Sequence, residues 1–123
     1  MKMQKLVEAS PALRKLAGKE LPLKVAYELS RMIKKMDEHL SFHDEKWQGM
    51  LEEHCTEKEG RWYPKSDKDG AELNRKRREL LELEADTGEI RPVVIPAGVN
   101  VDISAADLLL LEDFVEIHFE EEK

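Results

Sequence analysis

Positions Ala26, Leu29, Ile33, Met36, Leu40, His43, Trp47, Met50 and His54 recur at alternating spacings of three and four along a stretch free of proline. This is a heptad-like seam, the pattern of a helix that packs lengthwise on another. It predicts one continuous helix over residues 23–55, about 50 Å long at roughly 1.5 Å per residue. A compact domain of this length has a radius of gyration of only about 14 Å, so the seam predicts an elongated molecule.

Residues 56–70 interrupt the pattern. Gly60, Pro64, Asp67, Asp69 and Gly70 favour turns, and Arg61-Trp62-Tyr63 suits a brief extended stretch. A second helix is expected over 71–86, with Leu73, Leu80 and Leu81 on its apolar face, Lys76 and Arg77 interrupting that face, and Thr87-Gly88 as its stop. It is about half as long as the first and can cover only residues 40–55 or so of it. The stretch 23–39 is left to the two ends of the chain. At one end, Ser10-Pro11 reads as a helix start, with Leu13, Leu16 and Ala17 as a short stripe and Gly18 as a left-handed cap, giving a helix over 11–17.

The other end changes character. Ile90, Val93, Val94, Ile95, Val99, Val101 and Ile103 are β-branched, and Pro92 and Pro96 exclude helix, so this segment reads as extended. Ser104-Ala105-Ala106-Asp107 resembles a capping box with Asp in place of Glu, opening a short helix through Leu108 and Leu111 towards Phe114. That helix is apolar almost all round and must be buried or meet a partner. Val115, Ile117 and Phe119 alternate with polar residues, the pattern of a strand that pairs with residues 90–95. The expected fold is therefore mainly α and a single domain, 1–123. An elongated antiparallel helical hairpin spans 23–86, and a small extended and helical element spans 89–123.

Composition narrows what such a fold does. Charged residues make up 38% of the chain and hydrophobic residues 41%, which points to a thin core. One cysteine rules out a disulfide framework and multi-cysteine metal sites. No apolar run approaches the roughly 18 residues of a membrane span, and no stretch suits a signal peptide, so the expectation is a cytoplasmic protein without membrane contact. The net charge is −7. The acids Asp102, Asp107, Glu112, Asp113, Glu116, Glu120, Glu121 and Glu122 stand against Lys123 alone and account for the whole surplus. Nucleic-acid binding gains affinity from Lys and Arg, which argues against such a partner. The basic run Arg75-Lys76-Arg77-Arg78 is interleaved with Glu72, Glu79 and Glu82 at helical spacing and reads as a solvated, self-paired helix face.

Candidate chemistry is sparse. His39 and His43 stand four apart on one helix face, the spacing of two metal ligands, yet no His-Glu-x-x-His motif accompanies them. His54-Cys55 shows no local base that would activate the thiol. Asp67-Lys68-Asp69-Gly70 resembles a calcium-loop start but lacks the closing Glu, and reads as a turn and helix cap. The paired acids Asp37-Glu38, Asp44-Glu45 and Glu52-Glu53 sit off the seam as solvated charge. No catalytic residue, metal or cofactor is assigned, and the chain is not expected to be an enzyme.

The order of features resembles a family of small proteins of unknown function encoded in tailed phages and prophages. Three stretches carry the resemblance: Pro11-Ala12-Leu13-Arg14-Lys15-Leu16 with Leu21-Pro22-Leu23; the long charged helix with Glu72-Leu73-Asn74; and Ile103-Ser104-Ala105-Ala106-Asp107-Leu108. Residues 115–123 extend past the usual family ending. The resemblance implies an accessory or assembly protein and carries over no catalytic residues. The expected function is protein–protein contact with a phage or host partner through Trp62 and Tyr63 at the hairpin tip, through Leu108, Leu111 and Phe114, and through Glu120 and Glu121. A seam longer than its cover is also expected to draw a second copy into a homo-oligomer. The alternatives are an acidic inhibitor or nucleic-acid mimic acting on a host enzyme, and a metal-dependent enzyme using His39 and His43.

Overall fold

A computed structural model describes residues 1–119. Within them the elements run α1 (Met3–Ala17), α2 (Leu23–His54), β1 (Cys55–Lys58), β2 (Arg61–Pro64), α3 (Asp67–Glu82), β3 (Val93–Ile95), α4 (Ala105–Leu111) and β4 (Val115–Ile117). The chain is mainly helical, and its strands form two separate two-stranded sheets.

The long helix is present and unbroken over 32 residues, about 48 Å of rod. Val25, Leu29, Met36, Leu40, His43 and His54 are buried along it, while Ala26, Ile33, Trp47 and Met50 are half-buried. Burial at Val25 in place of Ala26 reflects the drift of a straight 3.6-residue helix against a 3.5-residue repeat. The expected uncovered length of seam is absent. α1 and β3 pack along the first half of α2 and α3 along the second, leaving no seam position exposed. Self-association thus loses the surface on which it was expected.

α1 begins at Met3, well before Pro11, and carries that proline inside it. Met3, Leu6, Ala9, Ala12, Leu13 and Leu16 form one buried stripe, whereas Pro11 lies on the exposed side. An internal proline costs about 3 kcal/mol, which the burial of Met3 and Leu6 offsets at roughly 1.5–3 kcal/mol each. Gly18 sits in the right-handed region with φ −80° and donates to the Arg14 carbonyl at 3.1 Å, so no left-handed cap is used.

α3 starts at Asp67, earlier than expected, because the Ser66 hydroxyl accepts the Asp69 amide at 3.1 Å and Asp67 and Asp69 favour the helix N-terminus. It stops at Glu82, short of Thr87-Gly88. Residues 83–85 turn extended to meet the first residues of the chain: Met3 donates to the Leu83 carbonyl and Ala85 to the Met1 carbonyl, both at 2.8 Å. Between α2 and α3 the expected turn is a complete antiparallel hairpin with Cys55 opposite Pro64 and Lys58 opposite Arg61. Glu59 and Gly60 both have positive φ, 51° and 77°, as a two-residue type I′ turn requires.

The C-terminal strand pairs with residues 93–95, in parallel, with α4 as the crossover. Val93 donates to the Phe114 carbonyl at 2.8 Å and Ile95 accepts from the His118 amide at 3.0 Å, so odd-numbered residues of β3 face β4. Pro92, Val94 and Pro96 therefore line the opposite edge. Proline at two of these three positions removes the amides that would recruit another strand.

One apolar cluster joins α1, the first half of α2, Ala85, β3, Leu111, Phe114 and Val115. The far end is different: Cys55, Leu73 and Leu80 are buried there outside that cluster, and polar contacts supply much of the remaining packing.

Candidate functional site

α4 is built to show leucines. Ser104 caps it by accepting the Asp107 amide at 3.1 Å, as the capping pattern predicts, and the Asp107 carboxylate turns to Lys15 at 3.2 Å. Leu111 and Phe114, 2% and 0% exposed, anchor the segment in the core. This corrects their place among the contact residues: an apolar helix must bury one face, and these two residues supply it. Leu108, Leu109 and Leu110 remain exposed, at 39%, 70% and 38%. Glu120 and Glu121 lie outside the described residues.

Trp62 and Tyr63 do not form one exposed pair at the hairpin tip. Neighbouring residues of a strand point to opposite faces. Trp62 shares a face with buried Cys55 and with Pro64, which packs on Gly70 of α3, and is itself half-buried. Tyr63 points the other way and is 48% exposed.

The polar residues singled out for chemistry have structural partners. His39 Nε2 meets the Asp86 carbonyl at 3.0 Å, and because a carbonyl only accepts, Nε2 carries the proton. His43 instead uses Nδ1, towards Asp44 at 3.0 Å. The two rings thus serve different contacts despite their helical spacing. His54 Nδ1 donates to Asp69 Oδ1 at 2.9 Å and Nε2 accepts from Lys76 Nζ at 2.9 Å, an arrangement that fits an imidazole with its proton on Nδ1. The hydrogen bond from His54, followed by that from Ser66, lowers the Asp69 pKa below its ordinary value. Lys76 also reaches Glu53 at 3.3 Å, and the Arg77 guanidinium lies 5.2 Å from the Trp47 ring centre. The two basic residues that interrupt the apolar face of α3 are thereby explained, since both reach across to α2. Arg75 pairs with Glu72 and Glu79 on its own helix, and its hydrogen bond lowers the Glu72 pKa. Among the described residues no group of three His, Cys, Asp or Glu is placed to hold a metal ion.

A groove absent from the sequence reading runs between the start of α2 and residues 89–94. Lys24, Arg31 and Lys35 stand along its α2 wall and Arg91 on the other, over an apolar floor of Met32, Ile90 and Val93. Arg31 stacks 5.7 Å from the centre of the exposed Tyr27 ring. The i, i+7, i+11 spacing of the three α2 cations was the available signal; nothing in the sequence pattern joined Arg91 to them.

No helix of the described residues is long and apolar enough to cross a membrane. No protein-family model, curated protein or solved structure matches the chain.

Proposed function

We propose that this chain is a non-catalytic accessory or assembly protein of phage type, acting in the host cytoplasm through protein–protein contacts at the leucine face of α4. The observation that carries this reading is Leu108, Leu109 and Leu110 standing together in solvent on a helix capped at Ser104 and anchored by Leu111. Exposed apolar patches on a chain this rich in charge mark contact surfaces. Of the acidic stretch from Glu112 onward that a mimic would present, Asp113 is already paired with Lys5.

The test is cross-linking mass spectrometry in the producing cell, comparing the natural chain with Leu109→Glu. A protein cross-linked near α4 in the first and lost in the second supports the reading. An identical cross-link pattern in both overturns it.

A further inference from the structure

The β-hairpin that follows α2 sorts its charges by face. With Thr56 opposite Tyr63 and Lys58 opposite Arg61, these four residues share one side, while Glu57 stands on the other beside Trp62. Lys65 continues the alternation, its amide bonded to the His54 carbonyl at 3.0 Å. Thr56, Lys58, Tyr63 and Lys65 line one hollow of about 840 Å³, with Glu59 at the turn as its one acid among the described residues. Two features set this face apart from cations scattered over the surface. Lys58 and Arg61 are directly opposed across the strands, a like-charge pairing that destabilises the hairpin and that an anion relieves. The Tyr63 ring, 48% exposed, stands between Arg61 and Lys65. Each of them is two residues away, about 7 Å at roughly 3.4 Å per residue, a step that one nucleotide of an extended strand spans. The residue across from Tyr63 is the small Thr56, which leaves much of the ring open.

We propose that this face binds single-stranded nucleic acid, with one base stacked on Tyr63 and the flanking phosphates held by Lys58 and Arg61 on one side and by Lys65 on the other. An open ring among evenly spaced cations holds a strand without reading its sequence: the ring takes the face of a base and the cations follow the backbone. An acidic peptide would engage the cations but leave the ring without a partner. The acidic surplus of the chain belongs to the other end of the molecule. Asp107 on Lys15 and Asp113 on Lys5 hold that segment against α1, which packs along the first half of α2. The second half of α2 lies between it and the hairpin, about 24 Å at roughly 1.5 Å per residue. That is about three Debye lengths at physiological salt, so the surplus is screened from the hairpin. Locally the sign is reversed: from Cys55 to Arg78 the chain carries eight Lys and Arg against five Asp and Glu.

The probe is fluorescein-labelled dodecathymidylate, with the matching oligouridylate in parallel, titrated with the full chain and followed by anisotropy. Saturable binding is expected. Three phosphate contacts predict a log–log salt slope of about −2, a loss of roughly 20-fold between about 50 and 200 mM salt. Tyr63→Ala should weaken binding about tenfold, and Tyr63→Phe, which keeps the ring, should restore most of it. Lys58→Gln/Arg61→Gln should flatten the salt slope to about −0.7. Lys24→Gln/Lys34→Gln removes the same charge at the other end of α2 and should change affinity by less than about twofold. All of these positions are exposed, and circular dichroism checks that each variant keeps its helix. Absence of saturation at millimolar protein, unchanged binding by Tyr63→Ala, a salt slope unmoved by Lys58→Gln/Arg61→Gln, an equal loss in Lys24→Gln/Lys34→Gln, or displacement of the probe by hexaglutamate as readily as by unlabelled dodecathymidylate would each overturn the proposal. Tighter binding of one oligomer assigns the strand to DNA or to RNA. The leucine face of α4 takes no part in these measurements, so their failure leaves its reading untouched.

Discussion

His54, the last residue of α2, donates from Nδ1 to Asp69 in the first turn of α3 at 2.9 Å, with Ser66 donating to the other carboxylate oxygen at 3.0 Å. This pair closes the end of the helical hairpin furthest from the main apolar cluster. His54 is buried, and its removal leaves Lys76 and Asp69 facing a void. His54→Ala should lower stability by about 1–3 kcal/mol, read as a shift of the urea midpoint. The pH dependence has a defined sign. Folding lowers the Asp69 pKa, so the unfolded chain binds its proton more readily in the acid range. The stabilisation is complete above about pH 5 and is lost as pH falls through the ordinary carboxylate range and below it. Urea titrations of the natural chain and Asp69→Ala should therefore converge as pH is lowered from 6 towards about 3.

The anchoring and exposed sides of the α4 segment should separate cleanly in mutation. Phe114→Ala removes a side chain with no exposure and should cost about 3–5 kcal/mol. Leu109→Ser, on the solvent side, should change stability by no more than about 0.5 kcal/mol. Thermal melts of both variants check the contrast.

Pro11 supplies a test of where α1 begins. In the interior of an exposed helix face, Pro11→Ala restores an amide and removes a steric clash, and should raise stability by about 1–3 kcal/mol. Ser10→Ala should be nearly neutral, because the Ser10 hydroxyl meets only the Arg14 side chain, at 3.3 Å. Were the helix to start at Pro11, the ranking would reverse, with Ser10→Ala costing about 1 kcal/mol as a lost cap.

Opening the edge of β3 should be visible as aggregation. Pro92→Val with Pro96→Val returns amides to the two blocked positions beside Val94. The double variant should scatter light at concentrations where the natural chain is clear.

The long-range pattern of α2 was legible because it repeats over many turns and depends little on any one residue. The C-terminal strand was also readable from alternation, which carries it on to Phe119 and places its partner within 90–95, whereas the pairing is confined to 115–117 and 93–95. Sequence pattern and structure part where a local signal meets a tertiary one. Ser10-Pro11 carries every mark of a helix start, yet Met3 and Leu6 gain more from continuing the stripe than Pro11 loses. Thr87-Gly88 looks like a stop, but residues 83–85 are taken from α3 by pairing with the chain's first residues, a contact between distant positions that no local pattern encodes. The tip turns on a face assignment that strand pairing alone supplies. Once β1 and β2 pair in register, Trp62 and Tyr63 must part company. On α4, the sequence pattern points to Leu108 but not to Leu109 and Leu110, because the choice of Leu111 and Phe114 as anchors depends on where α1 and β3 lie.

The two tryptophans carry a practical corollary. Trp47 lies beneath Arg77 and Trp62 sits in the β-hairpin, both at the end of the molecule outside the main apolar cluster, which contains no indole at all. Intrinsic fluorescence is therefore a local thermometer for that outlying end, whereas far-ultraviolet ellipticity averages over every helix. Two melting curves recorded on one sample, one from each signal, report whether the rod loosens from its tip inward or gives way all at once.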